Sequence, residues 1–588
     1  MTVKTEKYRA LGITNVPLGQ AEVLAHNLIT DRSARLLNTS AHHLQEFRTF
    51  RTVDDVVNGE TSEQTRAEIE ELIDKGLLMS RAELLQRLSV PSETTTASIS
   101  SLGVPTRNRP AFLKNCLESY ARLANESGRP LRLVVMDGSD DPASAEANLK
   151  NARAVKKEFG VEILYLNQES VETFALQLAR TADLPQEIVD FALLNIERCP
   201  IDTGMRRNAL LLSTVGEMTV QVDDDTVCSV APSPSFISGL KLSSQDLPAE
   251  MWFPSHDEDF PKIDAEADFF KLHEEVLGRS VTDLVKRNPT VDLDQVAPSF
   301  IERIHQNGGS ILVSSIGMAG DCGTGSPFYT FLRLTGENRQ RLTRTQEVYQ
   351  RAMDTHQLTR CVNQTTICDL AQASGINLGL DNRKFLPPFT PVQRAQDTNF
   401  CSFLFSACEG YIAHLPWALV HIRPSRFQYD MRKSATQLFC GKIMNMLQTQ
   451  FSPMKYRSAQ QNLFLLGQYL EDLGTMPLSN FEEIVRLRTF RLALVRIRDL
   501  ERAQKNFGRQ PNYWSQDAQR YIDLTREALA NPDFCLAADL VDAFGREHAR
   551  TLMQRLVLRT GRLLKVWPQM RKAALEIKQQ GKQLGIEL

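Results

Sequence analysis

At 588 residues the chain exceeds what one hydrophobic core buries, so roughly two to four domains are expected. With 42% hydrophobic and 24% charged residues and a formal net charge of −3, the composition is that of a globular protein. It gives no reason to expect nucleic acid or an anionic membrane as the main partner.

The opening residues, Met1-Thr2-Val3-Lys4-Thr5-Glu6-Lys7, lack the apolar centre of a signal peptide, and no run reaches the length of a membrane helix. Ten cysteines lie scattered from Cys116 to Cys535 without a CxxC pair, which reads as reduced thiols in a cytoplasm. In chain order, residues 1–90 carry a compact apolar pattern from Leu36-Leu37 to Leu77-Leu78. They end in the Ser/Thr-rich stretch Ser89 to Ser98, a linker by composition.

From residue 99 to about 428 short apolar runs alternate with helical patterns. Ile99 to Val104 reads as a strand ended by Pro105. The next helix has Phe112, Leu113, Leu117 and Tyr120 on one face, and Leu131–Met136 and Val161–Leu166 read as further buried strands. This spacing predicts an α/β domain with a mixed, mostly parallel sheet under helices. Residues 429–588 read as a helical domain, with 3.6-residue periodicity over Phe481–Asn506 and Ala537–Gln580. Its last part, from Val541, has ten basic and four acidic residues, the pattern of a solvated bundle face or of a surface for an acidic partner.

Polar groups fall where α/β sheets bind ligands, at strand ends. Pro105-Thr106-Arg107-Asn108-Arg109 follows the first strand and Asp137-Gly138-Ser139-Asp140-Asp141 the second. Gly204-Met205-Arg206-Arg207-Asn208 opens or occupies a helix. Met218–Val222 then alternates like a strand and runs into Asp223-Asp224-Asp225. Three adjacent carboxylates repel one another unless a cation neutralises them, and Mg²⁺ or Mn²⁺ with oxygen ligands is the natural partner. Alone, the triplet is more often an exposed acidic turn. After the other three segments it carries more weight.

This order of motifs, over about residues 99–424, resembles the family 2 glycosyltransferases of the GT-A fold. The resemblance implies a nucleotide-sugar pocket lined by Pro105, Arg109 and Asp137, with Arg207 and Asn208 near the nucleotide. It places Asp223, Asp224 and Asp225 at the DxD motif, with Asp223 and Asp225 as metal positions and Asp225 as the direct ligand. It also implies Mn²⁺ or Mg²⁺ as cofactor, a UDP-sugar as donor, and a base in an acidic motif. Asp397, in Arg394-Ala395-Gln396-Asp397, stands where that base belongs, although a helix cap is an open alternative. His421 reads as a buried structural histidine or as a third metal ligand, as in some GT-A enzymes.

The chain departs from the compact family pattern by roughly 170 residues between Asp225 and Arg394. They include Trp252 to Gly309 and the glycine-rich run Gly317 to Gly325. That run lacks the Lys-Ser/Thr of a P-loop and reads as a loop near the sugar or acceptor, or as a structural turn.

The first zone resembles, more weakly, the winged-helix domains that bind leader peptides in peptide-modifying enzymes. Arg35-Leu36-Leu37-Asn38-Thr39-Ser40-Ala41 and Lys75-Gly76-Leu77-Leu78 carry this likeness. It implies a peptide or protein acceptor. The alternatives are a transferase for a surface polysaccharide or small glycoside, and an inactive sugar-nucleotide-binding scaffold.

Overall fold

The computed structural model describes residues 6–57, 62–90, 94–244, 247–256, 267–322, 327–370, 372–408, 410–422, 430–452, 457–582 and 584–588. Residues 91–93 of the linker, 323–325 of the glycine run, and Arg423 and Pro424 lie outside these.

The described residues among the first ninety build two small antiparallel sheets and three helices. Strands Ile13–Pro17, Glu22–Asn27 and Arg32–Leu37 form a meander with Glu22–Asn27 in the middle. Lys7–Arg9 lies between Arg51–Thr52 and Met79–Ser80. Leu36, Leu44, Phe47, Ile69 and Leu72 make a local core. The helix Arg81–Arg87 starts on a reciprocal cap, in which Ser80 and Glu83 each accept the other's backbone N–H.

This zone is not held on a free tether. Leu84 and Leu88 join the core of the large sheet. Arg9 donates to the Leu293 carbonyl and Arg81 to the Val291 carbonyl, both at 2.7 Å. The described part of the expected linker is pinned as well. The Thr95 N–H donates to the Gly278 carbonyl at 3.4 Å, and its own carbonyl accepts from Arg383 at 2.7 Å.

The central sheet has fourteen strands among the described residues. Met218–Val222, Ser101–Thr106, Arg132–Asp137 and Glu162–Leu166 are consecutive and parallel, with helices Pro110–Glu126, Pro142–Phe159 and Thr203–Ser213 alongside. The α/β expectation is met. On the other side Asn377–Asp381 runs antiparallel to both Met218–Val222 and Ile311–Asp321, and Tyr411–His421 runs parallel to Ile311–Asp321. The sheet is therefore mixed. One edge collects the carboxyl ends of Ser101–Thr106, Met218–Val222, Ile311–Asp321 and Tyr411–His421, together with the start of Asn377–Asp381. Far along the chain, Ile586–Glu587 pairs with Glu162–Leu166 and closes that side of the sheet.

Three local readings need correction. Pro105 does not end its strand but sits inside Ser101–Thr106, opposite Met136. The neighbouring strand Met218–Val222 pairs only with Ser101, Leu102 and Gly103, so no ladder N–H is required of Pro105 on that side. The glycine run begins as strand, since Gly317 to Asp321 belong to Ile311–Asp321. Its glycines permit close backbone approach: a Cβ on Gly317 would lie 2.2 Å from the Arg360 carbonyl oxygen, and one on Gly320 2.1 Å from that of His421. Finally, the span Ala537–Gln580 is two helices, Ala538–Phe544 and Arg546–Gln579, separated by Gly545 at φ +78°.

The remaining C-terminal region is helical, with Leu478–Asn506, Asn512–Leu529 and Arg546–Gln579 its longest members. The last of these grips the central domain. Trp567 Nε1–H donates to the Leu386 carbonyl at 2.9 Å, and Arg571 donates to the Asn382 side chain and to the Lys384 carbonyl. No described helix is long and apolar enough to cross a membrane.

Candidate functional site

The three aspartates occupy a tight turn. Met218–Val222 is buried along its whole length, and the chain must reverse as it leaves the sheet. The backbone N–H and Oγ1 of Thr226 both donate to the Asp223 carbonyl, at 3.2 and 2.8 Å. The Asp223 N–H donates to the Ile376 carbonyl at 3.1 Å. The three carboxylates therefore leave the turn in fixed and different directions.

Each meets a different partner. Asp223 is partly exposed and accepts from Arg207 Nη2 at 2.6 Å. Asp224 is buried, accepting from Thr106 Oγ1 at 2.7 Å and from Arg109 Nη1 at 2.6 Å. Asp225, equally buried, accepts from Arg109 Nη2 at 2.9 Å and faces His421 Nε2 at 3.1 Å. Arg109 stacks on Phe112, 4.6 Å from the ring centroid, and so is held where it forks across two carboxylates. Burial pushes Asp224 up to about 7, with Arg109 opposing. Burial also acts upward on Asp225, but His421 and then Arg109 outweigh it and hold that carboxyl well below the usual range.

His421 closes the group from the end of its own strand. Its Nδ1 donates to the Asp321 carbonyl at 2.8 Å, which turns Nε2 toward the aspartates. Asp223, Asp225 and His421 each offer one ligand atom, and these atoms lie within 4.8 Å of one another. Ligand bonds of about 2.0–2.2 Å place donors of one ion about 3–4.4 Å apart, so side chains whose donor atoms lie within 4.8 Å of one another need only small movements to share a divalent ion.

Asp397 belongs to the same edge. It stands in the first turn of helix Gln396–Phe403, two residues after the cap position, which is Ala395. Its Oδ2 accepts the Gly375 N–H at 2.9 Å, and its Oδ1 accepts the Thr398 N–H at 2.8 Å. Arg207 Nη2 reaches both Asp223 and the Gly375 carbonyl at 2.6 Å. Gly375 alone thus separates Asp397 from the arginine that holds Asp223. A Cβ there would sit 3.0 Å from Arg207 Nη2, so a larger residue would disturb the join.

The segment that delivers Asp397 is backbone-strained and tightly held. Gln393 and Ala395 have φ of +75° and +65°. Asn208, fully buried, clamps the preceding loop: its Oδ1 accepts the Phe389 N–H at 2.8 Å and its Nδ2 donates to the Phe389 carbonyl at 3.0 Å. The Met205 N–H donates to the Pro391 carbonyl, and the Gln393 N–H to that of Ile201. Gly204 lets the helix Thr203–Ser213 approach, since a Cβ there would fall 1.8 Å from the Thr390 oxygen.

Of the residues singled out from the sequence, Arg109, Arg207, Asp223, Asp224, Asp225, Asp397 and His421 come together. Asn208 is spent on the loop and points away from solvent. Pro105 is buried one residue before Thr106. Asp137 ends its strand on the same edge, but its oxygens already accept from Ser139 N–H at 2.9 Å, Asn148 at 3.0 Å and the Tyr165 hydroxyl at 2.5 Å. Oδ1 has one bond and room for a second. Sequence reasoning missed Arg206, which donates to Asp202 and to the Thr106 carbonyl and is pushed down to about 10 by burial. It also missed Gly375 and the Asp321 carbonyl. The only signal for Arg206 was its place in the Arg-Arg-Asn run. Compared with known proteins, the chain matches no family model and no curated sequence.

Proposed function

We propose that this chain is a metal-dependent glycosyltransferase of GT-A type, moving a sugar from a nucleoside-diphosphate sugar to a peptide or protein acceptor. The observation that carries the reading is the join of Asp223, Asp225 and His421 to Asp397 through Arg207 and Gly375, at the carboxyl edge of parallel strands. An ion-pair network needed only for stability has no use for a carboxylate presented on strained backbone beside a cation-shaped donor set.

In this reading Asp223, Asp225 and His421 hold Mn²⁺ or Mg²⁺, and the ion supplies positive charge to the departing diphosphate. Arg109 bridges Asp224 and Asp225 and offsets their mutual repulsion. Arg207 fixes Asp223 and, through Gly375, the orientation of Asp397. The Asp397 carboxylate takes the proton of an acceptor hydroxyl or thiol. The freed oxygen or sulfur bonds to the anomeric carbon, and the bond from that carbon to the phosphate oxygen breaks with its electron pair going to the nucleoside diphosphate. Inversion at the anomeric carbon follows from a single displacement.

For the acceptor, the open edge of Arg32–Leu37 supports peptide docking. In its ladder with Glu22–Asn27, Asn38 N–H donates to Ala21, so by alternation the N–H groups of Ser33, Arg35 and Leu37 point outward. Leu37 is 56% exposed beside that edge. An extended peptide can add there as a strand. Because Leu84 and Leu88 are shared with the central core, removing residues 1–90 would damage both parts, and Arg35→Pro is the cleaner probe. It should weaken modification of a full-length peptide while leaving slow hydrolysis of the sugar nucleotide unchanged. Equal loss of both would remove the docking role. The transfer reading itself is tested by incubating the protein with UDP-sugars and Mn²⁺ and following UDP release. Absence of release across UDP-, GDP- and dTDP-sugars would favour the scaffold alternative.

A further inference from the structure

A carboxylate that meets two cations divides one negative charge between them, and the cations repel each other across it. Asp225 is in that position. A divalent ion at Asp223, Asp225 and His421 would draw on the same carboxylate that Arg109 holds at 2.9 Å. Three carboxylates here face two guanidinium groups, Arg109 and Arg207. A single negative charge is left over before the imidazole is counted. An ion with two positive charges turns that balance positive unless one arginine gives way.

The two arginines are built differently. Arg207 lies inside helix Thr203–Ser213 and is fully buried. Besides Asp223 it donates to the Gln221 side chain at 3.3 Å and to the Gly375 carbonyl at 2.6 Å. It cannot leave Asp223 without disturbing the join to Asp397. Arg109 instead precedes helix Pro110–Glu126 at the cap position, with backbone angles outside the helical range. Its side chain is 36% exposed. Asp224 supplies it with a second anchor at 2.6 Å. That carboxylate stands outside the cluster of donor atoms formed by Asp223, Asp225 and His421, and Thr106 also donates to it.

We propose that Arg109 is the resident counter-cation of the metal site, holding Asp225 in the resting protein and yielding it to a divalent ion while staying on Asp224. Arg109 thereby sets the affinity of the site for the ion, and its own guanidinium becomes freer when the ion binds. A forked guanidinium suits this task, since one arm can let go while the other keeps its carboxylate. The proposal rests on the metal reading of Asp223, Asp225 and His421, and adds to it the residue against which the ion competes.

The test is titration of the full chain with Mn²⁺, following the free ion by electron paramagnetic resonance. Arg109→Gln should bind Mn²⁺ about tenfold or more tighter than wild type, because a unit charge beside the ion is gone. Arg122→Gln, an exposed arginine on helix Pro110–Glu126, should bind as wild type does. Asp225→Asn should lose binding. A second measurement uses wild type alone and so does not depend on how the variant folds. Phenylglyoxal labels free guanidinium groups, and mass mapping should show Arg109 labelled about threefold or more faster once Mn²⁺ saturates the chain, with Arg207 unchanged. Affinity in Arg109→Gln equal to or below that of wild type overturns the proposal, as does an equal rise in Arg122→Gln or Arg109 labelling that Mn²⁺ leaves unchanged or slows. In each of those cases Mn²⁺ binding that Asp225→Asn abolishes leaves the metal reading standing. Absence of Mn²⁺ binding in both wild type and Arg109→Gln removes the metal reading and the proposal together.

Discussion

Asp223–Asp225 and the half-buried pair Lys442 and Arg496 are both groups of like charge in places poor in water, and they are balanced differently. The aspartates are adjacent in sequence, and the fold brings Arg109, Arg207 and His421 to them, so every carboxylate has a cation within 3.1 Å. Lys442 and Arg496 come from two different helices, and Arg496 meets the Tyr329 ring and the Tyr521 hydroxyl instead of a described carboxylate. A cluster already neutralised can exchange one cation for another at small cost. An unneutralised one gains from any suitable anion.

The first way to break this contrast is Asp225→Asn. It removes the charge shared by Arg109 and His421 and one proposed metal donor. UDP release in Mn²⁺ should fall below detection. Stability should drop by about 3–5 kcal/mol, the cost of stripping one partner from a buried pair, read from urea unfolding. Full turnover in this variant would remove the metal role.

Asp397→Asn keeps the shape and the bond from Gly375 but cannot take a proton. Turnover should fall about a hundredfold or more with the thermal midpoint little changed. Loss of stability with turnover intact would reduce Asp397 to a helix residue. Asn208→Ala leaves both polar groups of Phe389 without partners, and should cost about 2–3 kcal/mol by urea unfolding. Some turnover should be lost with it, because the loop carrying Asp397 loosens.

The smallest effect concerns acid. Burial acts upward on Glu217, but its bonds with Lys578 and the charge of Arg132 hold its carboxyl below the ordinary glutamate value of 4.5. A lowered folded value means that this stabilisation is full above the ordinary value and is lost as pH falls through the folded one. Glu217→Gln should therefore flatten the fall of the urea midpoint between about pH 5 and pH 3 while lowering the midpoint at neutral pH. An unchanged slope would show that other carboxylates govern the acid limb.

Much of the central sheet was legible because buried strands announce themselves locally. Met218–Val222 has the bounds its alternation suggests, and the second and third strands shift by one residue. The aspartate turn was legible for the same reason: its residues are consecutive. What escaped depended on distance along the chain. Asn208 meets Phe389 across 181 positions, and His421 is aimed by a carbonyl 100 positions away. No pattern within a single window carries such pairings. Pro105 misled because its strand lacks a partner only on one side. The Ser/Thr-rich stretch misled because composition describes flexibility in water, whereas Arg383 and Gly278 supply partners that hold Thr95 in place.

The pairing of Ile586 and Glu587 with Tyr165 and Leu164 has a consequence for how the chain is made. The Leu588 N–H completes this short addition by donating to the Ile163 carbonyl at 3.0 Å. A ribosome finishes strand Glu162–Leu166 some 420 residues before it reaches Ile586. At about 5–20 residues per second, the outer edge of that strand waits roughly 20–80 s for its cover. During that interval a row of backbone donors and acceptors faces solvent or a neighbouring nascent chain. Polysomes carrying several copies at once bring such edges close together, so slow synthesis or truncation upstream of residue 586 favours strand exchange between copies over correct closure.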